Sequence, residues 1–64
     1  MTKPEFAELL RAKGYNAIFK NGEVIVYGAS KKIYRIVEGI ANSVGYYERF
    51  NWSGREYDGK AESL

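Results

Sequence analysis

A small α+β domain is predicted by three features of this 64-residue chain. Asn21-Gly22 stands at the centre of the apolar stretch Ile18 to Tyr27 and signals a hairpin. Ser30 is followed by Ile33, Ile36, Val37, Ile40, Ala41 and Val44 at helical spacing. An aromatic run then extends from Tyr46 to Trp52. With an opening helix, the order is α-β-β-α-β, two helices on one face of a three-stranded sheet, and Arg55-Glu56-Tyr57 leaves room for a short fourth strand. A single domain is expected over residues 1–57, with a disordered tail over residues 58–64.

The first helix is expected from Thr2 to Lys13. Thr2 and Glu5 stand at the spacing of a capping box, each side chain reaching the other's backbone N–H. Pro4 lies in the first turn, where its missing N–H costs nothing. Phe6, Ala7, Leu9 and Leu10 share one face. Gly14 suits the left-handed position beyond the helix, and Tyr15 then packs back on Leu10.

In the hairpin, Asn21-Gly22 tolerates positive φ at both central positions, as a type I′ turn requires. Lys20 then faces Glu23, Phe19 faces Val24, Ile18 faces Ile25 and Ala17 faces Val26. Ala17, Phe19, Val24 and Val26 share one face; Ile18, Ile25 and Tyr27 share the other. Both faces are apolar, so which of them the helices cover stays open at this point.

The second helix carries an apolar arc of roughly 160°, and Leu9, Leu10, Ile33, Ile36, Val37, Ile40 and Val44 are expected to be buried. Gly39 interrupts the helix interior, at about 1 kcal/mol relative to Ala. Close approach of another backbone would account for it, and so would drift. Tyr46 to Trp52 alternates as a strand. That strand sits beside the second, in parallel, or beside the first as an antiparallel neighbour, the arrangement we expect.

Composition narrows function mainly by exclusion. The chain has no Cys and no His, which removes disulfides, thiolate nucleophiles, the usual zinc ligands and the commonest general base. No cofactor or metal is expected. Stability has to come from aliphatics and the ten aromatic residues (six Tyr, three Phe, one Trp), or from self-association. No apolar run is long enough to span a membrane, and Met1-Thr2-Lys3-Pro4 reads as a native start rather than a signal peptide, so a cytoplasmic protein is expected. Glu5, Glu8, Glu23, Glu38, Glu48, Glu56 and Asp58 form no paired acid and base, so a non-enzymatic module is expected. The net charge of +2 permits an anionic partner without demanding one.

Three features remain. Gly28-Ala29-Ser30-Lys31-Lys32 combines a helix N-terminus, a hydroxyl and two lysines set against the helix dipole; it suits phosphate, although solvated surface lysines have the same sequence. Tyr27, Tyr46, Tyr47, Phe50, Trp52 and Tyr57 are interleaved with Lys20, Arg49 and Arg55, as in sheets that stack on bases, although a small domain also uses aromatics as core. Ile18, Ile25 and Tyr27 form an apolar patch suited to a protein partner or a homodimer.

Two resemblances accompany these features. Glu23 to Gly28, the helix from Lys31 to Ser43, then Val44-Gly45 and a strand, look like the second half of a BON domain, with Gly45-Tyr46 in place of the Gly-Val pairing typical of its final strand. The opening Phe6-Ala7-Glu8-Leu9-Leu10, with Lys13-Gly14-Tyr15 leading into a hairpin, is similar to HicA-type toxins, which are small RNA-binding proteins; their active His is absent, so ribonuclease activity does not carry over. The expected function is nucleic-acid binding through Lys20, Ser30, Lys31, Lys32, Arg35, Tyr47, Arg49 and Arg55. The alternative is a protein-interaction module or homodimer using Ile18, Ile25 and Tyr27. A phage or mobile-element accessory protein would suit this size.

Overall fold

The two helix-start signals act as their chemistry requires. In the computed structural model, which describes residues 1–54, helix α1 spans Lys3–Ala12. The Glu5 N–H donates to Thr2 Oγ1 at 3.3 Å and the Thr2 N–H donates to Glu5 Oε1 at 2.7 Å, closing the capping box. These bonds stabilise the ionised Glu5 and lower its pKa below the ordinary value. Gly14, at φ +95°, ends the helix, and the Tyr15 and Gly14 N–H groups return to the Leu10 and Arg11 carbonyls.

Strands β1 (Asn16–Lys20) and β2 (Glu23–Tyr27) pair antiparallel in the expected register, from Asn16 opposite Tyr27 to Lys20 opposite Glu23. Asn21 and Gly22 take φ of 53° and 79°, the left-handed pair of a type I′ turn. Helix α2 covers Lys31–Ser43, with the Lys32 N–H donating to the Ser30 cap.

Strand β3 is shorter than expected and differently placed. It comprises only Phe50–Trp52 and runs parallel to β2, giving the order β1-β2-β3. The expected position beside β1 is therefore corrected. The outer side of β1 is engaged by α1, where Arg11 Nη1 donates to the Ala17 carbonyl at 2.8 Å. Tyr46 leaves the strand for a reason at the end of α2. Gly45 adopts φ +72°, and the Tyr46 N–H returns to the Ala41 carbonyl at 2.8 Å. This helix stop turns the next side chain inward. The Tyr46 ring stacks on Phe6 at 4.0 Å and 7°, and burial raises the pKa of its phenol. The fourth strand at residues 55–57 and the tail at 58–64 lie outside the described residues.

Both helices lie on the face of the sheet that carries Ala17, Val24 and Val26. These pack with Phe6, Ala7, Leu10, Val37, Ala41 and Tyr46 into one core. The expected apolar stripe is only partly inside. Leu10 and Val37 are fully buried, while Leu9, Ile33 and Ile40 are half-buried against the core. Ile36 and Val44 are exposed, at 42% and 38%, which corrects the expectation for both. Helix α2 meets the sheet along Val37 and Ala41, and Tyr34 turns toward Phe50 with ring centroids 5.2 Å apart. Strands of five, five and three residues do not cover the whole arc, so the flank on the other side of Val37 is left outside.

Candidate nucleic-acid interface

The N-terminus of α2 lies where β2 ends, in the first connection of a parallel β-α-β unit. Such connections open at the carboxyl ends of the strands, where α/β sheets commonly bind ligands. Here the opening is a cleft of about 290 Å³, lined among others by Tyr15, Asn16, Tyr27, Gly28, Ser30 and Ile33. The end of β2 beside it is tied to β3 and the residue that follows. Trp52 Nε1 donates to the Gly28 carbonyl at 2.9 Å, and the Ser53 N–H donates to the Val26 carbonyl at 2.8 Å. A Cβ on Gly28 would stand 2.7 Å from Ile33 Cγ1, so the loop accepts only glycine there without displacing the helix start. Lys31, Lys32 and Arg35 are exposed on the first turns of α2, which hold no acidic residue.

The structure divides the residues singled out in the sequence. Ser30, Lys31, Lys32 and Arg35 come together at the start of α2. Lys20, Tyr47 and Arg49 lie toward the other end of the sheet, because β3 enters opposite Val24 and Lys20 flanks the hairpin turn. The length of β2 separates the two groups, roughly 13 Å for four steps of ~3.3 Å. Arg55 and Tyr57 lie outside the described residues.

The aromatic side chains serve the core more than a stacking surface. Tyr27 and Tyr46 are buried, while Phe50 and Trp52 are half-buried on the helix side of the sheet. Tyr47 is open, at 79% exposure. The face away from the helices carries Ile18 opposite Ile25, both half-buried, and Asn51, whose Nδ2 donates to Glu23 Oε1 at 2.7 Å. Of the three proposed interface residues, Tyr27 is only 9% exposed.

Sequence reasoning missed Tyr15 and Asn16 as walls of the cleft and Trp52 as the support of its loop. The stop at Gly14 was the available signal for Tyr15, since it turns the chain toward the end of β2. Nothing in the spacing of Trp52 and Gly28 marks their bond. Among the described residues no group of three His, Cys, Asp or Glu is placed to hold a metal, and no helix is long and apolar enough to cross a membrane.

Fold and cleft together describe a small α+β protein built on a hairpin and one parallel β-α-β return. No protein-family model matches the chain, and no curated protein or solved structure matches it.

Proposed function

We propose that this chain is a small nucleic-acid-binding module that takes backbone phosphate at the start of α2. One observation carries the reading: a capped helix N-terminus, with Lys31 and Lys32 exposed beside it, borders a cleft of about 290 Å³. The Lys32 and Ile33 N–H groups already donate to Ser30, so it is the positive pole of the helix, with the two ammonium groups beside it, that favours an anion there. Each lysine also opposes its own helix dipole, an arrangement that an anionic ligand would relieve. Lys20, Tyr47 and Arg49 serve as a second contact toward the hairpin end, reached by a strand that runs along the domain.

Titration with a single-stranded oligonucleotide should shift the amide resonances of Ser30 to Ile33. Affinity should fall steeply with salt, because each neutralised phosphate releases counterion. In the double variant Lys31→Gln, Lys32→Gln the salt slope should flatten by about two units, one per lost contact, while the fold is retained. Amide resonances that stay unmoved at low salt, with single- and double-stranded oligonucleotides alike, would remove the proposal.

A further inference from the structure

The exposed flank of α2 shares only Lys32 with the phosphate reading and only Ile40 with the core. At 100° per residue, Lys32, Ile36, Gly39, Ile40 and Ser43 fall within about 100° of arc. Ile36 is 42% exposed, and Val44 at the edge of the arc is 38% exposed. Gly39 is the low point of this surface. Among the described residues beyond its own helix backbone, a Cβ built there meets nothing within 4 Å, so the glycine leaves a backbone open to close approach.

The charges along α2 add a direction. Its first turn holds Lys31 and Lys32 and no acidic residue, and its last turn holds no basic residue. Beyond the cap Val44, the exposed Glu48 and Arg49 stand side by side and offset each other in charge. The helix thus presents cations where its own dipole disfavours them and leaves its negative end without any.

We propose that α2 pairs with α2 of a second copy, antiparallel, across a two-fold axis near Gly39. A two-fold contact presents the same patch from both sides, so Gly39 meets Gly39 and Ile36 packs against the partner's Ile40 and Ser43. Lys32 stands seven residues before Gly39, about 10 Å at ~1.5 Å per residue, and in the antiparallel pair comes beside the partner's carboxyl end. Arg35 lies at the rim of the same contact. The lysine that opposes its own helix dipole thereby complements its neighbour's. A parallel pair would set cations against cations. This contact is separate from the Ile18 and Ile25 face of the sheet, and its measurement involves no nucleic acid.

Sedimentation of the full chain should show a dimer at micromolar concentrations. Gly39→Leu, which fills the low point and favours the helix, should raise the dissociation constant at least about ten-fold while raising the melting temperature of the monomer. Ile36→Lys should give a folded monomer, whereas Ile25→Lys should leave the dimer intact. The chain has no cysteine, so Gly39→Cys places one thiol on the axis. It should oxidise to a linked dimer much faster than Glu38→Cys, which lies on the opposite face. A wild-type chain that stays monomeric to about 1 mM would overturn the proposal. So would equal oxidation rates at positions 38 and 39, or a dimer that survives Gly39→Leu and is broken by Ile25→Lys.

Discussion

Phe6→Ala should abolish the folded state at physiological temperature or lower its melting midpoint by at least about 12 °C. Phe6 is fully buried, stacks on Tyr46 at 4.0 Å and lies 6.2 Å from Phe50, so it joins α1 to the segment after α2 and to β3. Truncation of a buried Phe costs about 3–5 kcal/mol, and the aromatic stack adds about 0.5–1.5 kcal/mol beyond the area lost. At roughly 0.05–0.15 kcal/mol per residue, a 64-residue domain has only about 3–10 kcal/mol in all. Each kcal/mol corresponds to about 4–8 °C in a domain of this size. Thermal melts followed by circular dichroism measure the shift, and a fall below about 5 °C would show that Phe6 does not organise the core.

The second large effect comes from a pair of neighbouring positions. Val37→Asp should unfold the chain near neutral pH, because Val37 is fully buried and the buried residues described with it include no charged side chain to pair with a carboxylate. An uncompensated buried charge costs about 3–5 kcal/mol or more. Ile36→Asp, one residue earlier, should change monomer stability by less than about 1 kcal/mol, since Ile36 is already 42% exposed. Urea titration of both variants separates the two sides of α2. Equal losses would mean that Ile36 is as deeply packed as its neighbour.

That contrast also shows what the sequence holds and what it does not. The hairpin was legible because Asn21-Gly22 admits the positive φ its turn needs, and a two-residue turn sets the register of the strands it joins. Both helix starts were legible from Thr2, Glu5 and Ser30, whose side chains bond within three residues. The depth of burial around α2 was not. Helical spacing marks Ile36, Val37 and Val44 equally, and only the width of the sheet decides that Val37 goes in while the other two stay out. Tyr46 misled for a related reason: an aromatic alternation reads alike whether the chain continues as a strand or a glycine stop turns the first ring inward. The place of β3 was not legible either: β1 is engaged by Arg11 at the Ala17 carbonyl, a bond between side chain and backbone that leaves no pattern. For the candidate site, Ser30, Lys31 and Lys32 were legible as a helix start, whereas the cleft before them is built from segments distant in sequence.

The tie between Trp52 and Gly28 links the order of this site to the slowest part of the sheet. Every pairing in the hairpin joins residues no more than 11 positions apart, but Val24 and Phe50 are 26 apart and Trp52 reaches back 24 positions to Gly28. Closing the longer span costs more chain entropy and yields a ladder of only three residues. Helix α1 and the hairpin should therefore assemble first, with β3 docking last and detaching first in sub-global openings. When β3 detaches it releases the Gly28 carbonyl, and the loop that presents Ser30 loses its support. In native-state hydrogen exchange, the Asn51, Trp52 and Ser53 amides should open at a lower free energy than those of Ile18 and Ile25, and the Lys32 amide should follow the former group. Uniform protection across all six would mean that the domain opens only as a whole, with the site as rigid as its core.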